Sequence, residues 1–283
     1  PVPPSVQAAI KPTGQIPRGV FNKPVVAVDK TNPTPRMGAH PDLTGSWQHT
    51  DWIGDYMGNG GRRCGPTQEK PCNRATNQTE DFELYSPSRF GQLGRPLYKP
   101  EFWDKVQELD MWTNKYDPIF ACQPLGVPRA GAPNRIVQTA NDVVFLYASG
   151  GGGAGTSGYR IIPIDGRKHD PDKAQDVFFW GYSVGRWEGD TLVIDSIAFN
   201  DLTWLEKGGY FHSDKLHVVE KLTRQGNTMR YEVTAEDPEV LAEPWVLAPR
   251  MLRLNPNKDA GLLPEATPCR DYDHDNMVTQ IRH

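Results

Sequence analysis

The chain has 283 residues, enough for one large or two small domains with a substantial core. Its 31 basic and 35 acidic residues give a net charge of −4, and no basic run occurs, which excludes backbone-driven nucleic-acid binding because that needs clustered Lys and Arg. No apolar stretch approaches the roughly 20 residues of a membrane-spanning helix, so we expect a protein that does not span a membrane.

The composition favours short strands over helices. The chain contains 27 Gly and 26 Pro, which mark turns, together with eight Trp and ten Tyr, which suit pleated surfaces. This combination indicates many short strands joined by long ordered loops.

The N-terminal segment begins at Pro1 and contains no hydrophobic signal region. Such a start is expected of a chain whose signal peptide has been removed, so we expect a periplasmic or secreted protein, although a chain shortened to this point would look the same. Residues 1–40 are Pro-rich and non-periodic, which predicts an extended N-terminal arm on or projecting from the surface.

We predict that residues 41–283 form a single domain. Residues 51–130 contain many turn signals and few alternating runs, which predicts a loop-rich insertion. One helix is predicted in it at Pro100–Trp112, where apolar residues recur at helical spacing after a proline. Residues 256–283 form a C-terminal tail.

Alternating strands follow from residue 135. Turn signals at short intervals between the alternating runs predict sequential antiparallel pairing. The predicted strand segments are PDLTGSWQ, RIVQT, VVFLYAS, YRIIPIDGR, FFWGYSVGRW, TLVIDSIAF, LHVVEKLTR, TMRYEVTAED and WVLAPRMLRL.

These eight or nine strands predict a mainly β fold, an antiparallel up-and-down β-barrel of the lipocalin-like kind. An open sandwich is the alternative. In Thr228–Ala235 one face is apolar and the other polar, as in a half-buried strand. Phe179–Trp187 and Thr191–Ile197 are apolar on both faces, and we expect the insertion to cover them.

Four cysteines, Cys64, Cys72, Cys122 and Cys269, form an even set without a CxxC motif. Four cysteines allow three pairings, of which we favour Cys64–Cys72 and Cys122–Cys269. Four free buried thiols remain an alternative. A Cys₄ metal site is disfavoured because the spacing lacks paired ligands.

Two resemblances are visible. The strand Leu43–Trp47 looks like the Gly-x-Trp start of lipocalin-like proteins. More of the chain resembles a large family of exported bacterial proteins of unestablished activity with P-D-L-[ST]-G-x-W and G-x-W-E-G-D-T-L-V-[VI]-D motifs. The resemblance implies export and an all-β core, but no catalytic residues. The matching segments are PDLTGSW, CQPLGVPR, IDGR, WGYSVGRWEGDTLVIDS, FNDLTWLEKGG, HSDKLHVVEKLTR and the terminal Cys269.

Two carboxylates are candidate catalytic groups. Glu220 shares its strand face with Leu216, Val218 and Leu222, and Asp195 is similarly placed beside apolar residues. Carboxylates in such surroundings must be paired or have raised pKa values, which acid/base catalysis uses. The alternative is that each carboxylate forms a buried ion pair with one of the arginines Arg129, Arg160, Arg167 and Arg186.

Two of these arginines are candidate ligand-binding residues. We predict that Arg129 and Arg167 hold an anionic group of the substrate and are not paired with protein carboxylates.

One histidine is a candidate acid/base residue. His212 lies in a loop at a strand mouth and is the predicted third catalytic residue, as a general acid/base; a hydrogen-bonded loop histidine is the alternative. His217 is five residues further on, so an i,i+4 zinc pair is excluded. His169 is interpreted as a solvated loop residue.

Aromatic residues are candidates for ligand contact. Tyr182, Trp187 and Tyr159 are predicted to contact a planar or hydrophobic ligand, while Trp180 and Trp204 are further candidates. The alternative is that these rings fill the core.

Other motifs predict little chemistry. Gly150–Gly155 satisfies GxGxxG, but a strand follows where a dinucleotide fold needs a helix, so this is a loop and no cofactor is predicted. The WEGDTL turn is interpreted as structural. The DYDHD tail lacks the loop of a calcium-binding EF-hand, and no metal site is predicted.

The predicted function is therefore a cofactor-independent enzyme acting on a hydrophobic or aromatic small molecule. Elimination, hydration or isomerisation by acid/base groups is the expected chemistry, as in a lyase, hydratase or isomerase. One alternative is a non-catalytic periplasmic ligand carrier. The other is a structural or assembly protein whose Pro-rich arm docks on a protein partner.

Overall fold

The computed structural model describes residues 28–49 and 96–257, except residues 112, 148–157, 207 and 248. The strands are β1 (Arg36–Met37), β2 (His40–Pro41), β3 (Gly45–His49), β4 (Arg135–Gln138), β5 (Asp142–Tyr147), β6 (Gly158–Pro163), β7 (Tyr182–Glu188), β8 (Thr191–Ile197), β9 (Trp204–Glu206), β10 (Tyr210–Phe211), β11 (His217–Gln225), β12 (Thr228–Glu236), β13 (Trp245–Val246) and β14 (Arg250–Leu254). The helices are α1 (Trp103–Met111) and α2 (Thr113–Tyr116), with 3-10 turns at Pro100–Phe102, Pro118–Ala121 and Lys173–Gln175.

Some predicted features lie outside the described residues. They include residues 1–27, most of the insertion, the glycine-rich loop and the tail beyond residue 257. Cys64, Cys72 and Cys269 lie there as well, so the disulfide pairing stays a prediction. Cys122 is described, and it follows the 3-10 turn at Pro118–Ala121.

Ten strands form one sheet. Nine follow the order β6-β5-β4-β3-β14-β12-β11-β8-β7, and β13 pairs with β12. Every pairing in this sheet is antiparallel. At its two ends the Gly166 N–H donates to the Gly185 carbonyl at 3.2 Å, so the sheet curves into a nearly closed barrel. The mainly antiparallel barrel is confirmed and the sandwich alternative is wrong, while the likeness to lipocalins stays a prediction.

Two-residue turns set the register of the long hairpins. Gly189 has a φ of 62° between β7 and β8, and Gly226 has a φ of 58° between β11 and β12. A glycine adopts this region without the strain that a Cβ causes. At Gly226 a Cβ would also lie 2.7 Å from an Asp29 carboxylate oxygen, so the turn is closed to larger residues.

The segment before the barrel packs on this same turn. The Asp29 carboxylate accepts hydrogen bonds from the Asn227 N–H at 2.9 Å and from Thr31 and Asn32. These hydrogen bonds hold the pKa of Asp29 well below its usual range. The bond from the Asn227 N–H has the largest effect, followed by those from Asn32 and Thr31. Residues 28–41 therefore lie against the barrel, and an extended arm is not confirmed for them.

Alternation along β11 and β12 builds the barrel interior. In β12 Met229, Tyr231, Val233 and Ala235 are buried, as the alternating sequence predicts. In β11 the buried positions alternate in the same way, and they include a glutamate, Glu220, among apolar residues. A charge in such a place requires a partner.

Arg160 on β6 is that partner. Its Nη1 lies 2.6 Å from Oε2 of Glu220, and both side chains are almost fully buried. The same guanidinium donates to the hydroxyls of Tyr147, Ser183 and Ser196 at 3.1, 2.9 and 3.0 Å. One side chain thus connects β6 to β5, β7, β8 and β11, across the place where the sheet ends meet.

The glutamate has a second contact. Tyr231 on β12 donates its hydroxyl hydrogen to Oε1 of Glu220 at 2.8 Å. Oε2 lies within ion-pair distance of Arg160, but this contact lacks the geometry of a hydrogen bond. Oε2 has no hydrogen bond to any other described residue. Burial is the largest single influence and acts to lower the pKa of Arg160, but the charges and polar contacts of Glu220 and Tyr147 together outweigh it and raise that pKa, so Arg160 stays charged.

The described part of the insertion packs at one end of the barrel. The helix α1 confirms the predicted helix, and Trp103 at its start donates its indole N–H to the Tyr98 carbonyl at 2.9 Å. Phe102 packs edge-on against Phe211 of β10. The outer face of β8 is contacted instead by His169, so the expected cover by the insertion is not confirmed. Neither described helix has the length and apolar character that crossing a bilayer requires.

We expect Glu220→Gln to destabilise the fold by about 3–5 kcal/mol, because it leaves the Arg160 charge buried without a counter-charge. The free energy of unfolding is measured by urea denaturation. The matched control is Glu188→Gln, which removes an ion pair with Arg186 that is half exposed and should cost about 1 kcal/mol or less. Equal losses in the two variants would contradict a central role for the buried pair.

Candidate functional site

The two predicted catalytic carboxylates lie on opposite faces of the barrel wall. Glu220 of β11 stands opposite Ile194 of β8, whereas Asp195 stands opposite Val219. Because successive residues of a strand point to opposite sides, Glu220 is directed inward and Asp195 outward. The structure does not bring them together, and they cannot act on the same molecule.

Asp195 is the centre of a polar cluster on the outer face. Its Oδ1 lies 2.9 Å from Nε2 of His169, and its Oδ2 lies 3.2 Å from Nε2 of His217. Nδ1 of His217 in turn lies 3.6 Å from Oε2 of Glu236. We call these four residues the outer histidine cluster.

Three strands and one loop supply the cluster. Glu236 at the end of β12 stands directly opposite His217 at the start of β11. Asp195 on β8 is the cross-strand partner of Val219, so it is the diagonal neighbour of His217. His169 comes from the long connection between β6 and β7, which folds back over the outer face at this point.

Hydrogen-bond chemistry fixes which ring nitrogens carry protons. An ionised carboxylate only accepts hydrogen bonds, so the Nε2 atoms of His169 and His217 donate to Asp195. The remaining Nδ1 of His169 is buried and has no hydrogen-bond partner among the described residues. Nδ1 of His217 belongs to a ring that is one-third exposed, and it is the ring nitrogen that is not directed at Asp195.

The two histidines keep Asp195 ionised. Partial burial acts to raise the pKa of Asp195, but the hydrogen bonds from His169 and His217 outweigh it and lower that pKa below its usual value of 3.8. At neutral pH the carboxylate is therefore charged and holds both rings in place.

Buried valines flank Asp195 on the same face of the sheet. Val184 on β7 is the cross-strand partner of Asp195, and both Val184 and Val193 are buried. The ring of Tyr182 meets His169 edge to face at 5.0 Å between ring centres, and its hydroxyl accepts a hydrogen bond from the Asp170 N–H. Of the predicted ligand contacts, Tyr182 is the one at this cluster.

His212, the third predicted catalytic residue, is buried elsewhere. Its Nδ1 lies 2.8 Å from the Ser213 carbonyl and therefore donates to it, which leaves Nε2 to accept from the Thr203 hydroxyl at 2.7 Å. Burial is the main cause that lowers the pKa of His212, against a smaller raising effect from Ser213. His212 is a neutral, hydrogen-bonded ring that contacts neither Asp195 nor Glu220.

The predicted anion-binding arginines are paired with protein carboxylates. Arg129 makes a two-point contact with Asp117 at 2.7 Å for each bond, and both side chains are buried. Arg167 forms an exposed pair with Asp165, whose pKa is lowered to about 2, mainly by the Arg167 side-chain hydrogen bond. Neither arginine faces the cluster.

The other predicted aromatic contacts are also dispersed. Trp187 is stacked on His40 with ring centres 4.6 Å apart. Tyr159 is 65 % exposed on the outer face of β6. The structure therefore does not bring Trp187, Tyr159 and Tyr182 together around one ligand.

No metal centre is visible in the part of the chain that the structure describes. Within it, no group of three or more His, Cys, Asp and Glu side chains is arranged to hold a metal ion. The DYDHD segment lies outside the described residues.

Sequence reasoning missed His217, His169 and Glu236. The alternation of β11 already places His217 on the face opposite Glu220, and β12 places Glu236 among its polar positions. Pairing of these strands around the Gln225–Asn227 turn makes His217 and Glu236 direct neighbours, which was available from the sequence. The contribution of His169 was not, because it depends on how a long loop folds back.

No family model, no curated protein and no solved structure matches this chain. The resemblance to exported bacterial proteins thus stays a prediction, and the functional argument depends on the geometry alone.

We expect the buried His212 to make stability depend on pH. The pKa of His212 in the folded state lies below its ordinary value of 6.5. Below about pH 6.5 the unfolded chain therefore binds a proton at His212 more readily than the folded chain does, and the free energy of unfolding decreases as the pH falls. His212→Gln removes this titration, and the loss of unfolding free energy between about pH 7.5 and pH 5.5 should be smaller in the variant. Urea denaturation at the two pH values measures it, and an unchanged difference would contradict the burial argument.

Proposed function

We propose that the protein is an enzyme that moves a proton to or from a small molecule at His217. The proposal rests on one observation, the Asp195 carboxylate shared by two histidine rings. One of those rings is buried on its far side, and the other, His217, is partly exposed with its second nitrogen beside Glu236.

A carboxylate bonded to one nitrogen of an imidazole is a recurrent acid/base arrangement. The carboxylate holds the ring in one tautomer and one orientation, and it stabilises the positive ring that forms when the other nitrogen takes a proton. Imidazole exchanges protons near neutral pH, which suits it to both directions of the transfer. Asp195 and His217 supply this pair.

His169 acts on the carboxylate and not on the substrate. Its bond to Oδ1 leaves Oδ2 for His217, so that the carboxylate plane is fixed by two donors. Asp195 therefore does not rotate when His217 changes charge, and the site is ready for the reaction before substrate binds.

The outer face suits a small molecule with an apolar part. The partly exposed ring of Tyr182, which lies at the edge of the cluster beside His169, provides hydrophobic contact for an aliphatic or aromatic group. Elimination, hydration and isomerisation are the reactions that a single acid/base centre of this kind performs.

The barrel interior is a weaker candidate for the same role. Glu220 is fully buried, and Arg160 and Tyr231, which contact it, are 4 % and 1 % exposed. A substrate that entered there would have to separate a buried ion pair, which is costly. The same argument disfavours a carrier that holds its ligand inside the barrel.

The test uses 5-nitrobenzisoxazole, a probe for an accessible base. A base removes its C3 proton while the N–O bond breaks, and the electron pair ends on oxygen as a coloured cyanonitrophenolate. We expect catalysis above buffer, and a loss of about 10²-fold in His217→Asn, with an intermediate loss in Asp195→Asn. Absorbance of the phenolate gives the rate.

The control variant is Lys221→Gln, which should keep the full rate. Lys221 lies four residues after His217, on the same face of β11. Circular dichroism confirms that each variant is folded. Equal rates in the wild type and in folded His217→Asn would show that the ring is not the base and would end the proposal.

A further inference from the structure

In the outer histidine cluster, Nδ1 of His217 and Oε2 of Glu236 face each other. When Nε2 of His217 donates to Asp195, Nδ1 of the neutral ring is a lone pair. Oε2 of Glu236 lies 3.6 Å from this nitrogen, beyond hydrogen-bond length. Two acceptors in this position are complementary to one ligand atom that carries several hydrogens.

We propose that the substrate of this site carries a primary ammonium group, which donates to His217 and Glu236 at the same time. The inference rests on the proposed function of His217 and adds the chemical class of the substrate. An ammonium nitrogen has three donors and no acceptor, and two acceptors 3.6 Å apart are both within reach of it at ordinary hydrogen-bond lengths.

The charges around the cluster favour a cation. Asp195 is ionised, and Glu236 is half exposed and contacts His217. The nearest basic residue along β11 on this face is Lys221, and it stands opposite Glu232. The field at His217 is therefore negative, which attracts a cation and repels a carboxylate.

Six of the described arginines are paired with carboxylates and so add little positive field at the cluster. These pairs are Arg36–Asp190, Arg129–Asp117, Arg160–Glu220, Arg167–Asp165, Arg186–Glu188 and Arg230–Glu232. A substrate anion would have to displace one of these carboxylates. A substrate cation meets His217 and Glu236 with their acceptor atoms available.

The ammonium group can also transfer a proton to His217. One N–H bond is directed at Nδ1 of His217, and transfer of that proton leaves a neutral amine and an imidazolium ring. The imidazolium then donates to Asp195 through Nε2 and lies beside Glu236 through Nδ1, so that both carboxylates stabilise it. The amine nitrogen gains a lone pair and becomes a nucleophile.

The remainder of the substrate lies against Tyr182. This residue is partly exposed and presents an aromatic ring at the edge of the cluster, beside His169. An aromatic or aliphatic primary amine fits this feature, since the ring of a tyrosine also attracts a nearby cation. The simplest probe of this class is benzylamine, which is an ammonium ion at neutral pH.

The experiment is a titration of the full chain with benzylamine at neutral pH, followed by the NMR signals of the histidine side chains. We expect saturable shifts of the His217 ring, and about tenfold weaker binding in Glu236→Gln, which removes a charged acceptor. The matched control is Glu232→Gln, on the same strand and face, which should bind as the wild type does. Benzyl alcohol and benzoate are titrated in parallel.

The outcomes separate this inference from the proposed function. Benzylamine should inhibit the 5-nitrobenzisoxazole reaction competitively, because both molecules would occupy the space beside Nδ1 of His217. If the reaction depends on His217 but benzylamine neither binds nor inhibits, the ammonium assignment is wrong and the acid/base function stands. Benzyl alcohol or benzoate binding as tightly as benzylamine, or unaltered benzylamine binding in Glu236→Gln, would also overturn the assignment.

Discussion

The buried ion pair between Arg160 and Glu220 is the interaction on which the barrel depends. A sheet of nine consecutive strands has two end strands, and in this protein few backbone hydrogen bonds among the described residues join β6 to β7. Arg160 spans that junction from the inside, reaching hydroxyls on β5, β7 and β8 and the carboxylate on β11. The contacts of the Arg160 side chain thus contribute more to closing the barrel between β6 and β7 than backbone hydrogen bonds do.

Closure from the inside has a consequence for function. The interior positions at the junction are occupied by the Arg160 network and by the aromatic and aliphatic residues around it, so the polar groups there are already bonded to each other. A second polar cluster lies on the outer surface, where Asp195 orients two histidines. The barrel wall thereby separates the buried carboxylate of Glu220 from the partly exposed carboxylate of Asp195.

Both carboxylates are held by basic side chains, but the two settings differ. Glu220 faces a guanidinium that keeps its charge over the whole physiological range, so this pair is permanent. Asp195 faces two imidazole rings, which carry a charge only when they are protonated. Two carboxylates that look alike in alternating strands therefore have different surroundings.

The sequence by itself determined the strands, their alternation, the tight turns at Gly189 and Gly226 and the helix after Pro100, because these follow from local spacing and backbone conformation. It also indicated that a buried Glu220 would need a partner, and Arg160 was among the alternatives. Only the tertiary structure decided which arginine it is, since that choice depends on which strand ends meet. It likewise decided that Asp195 faces outward to His169 and His217, because the fold of a long loop over a sheet is set by packing that no local pattern encodes.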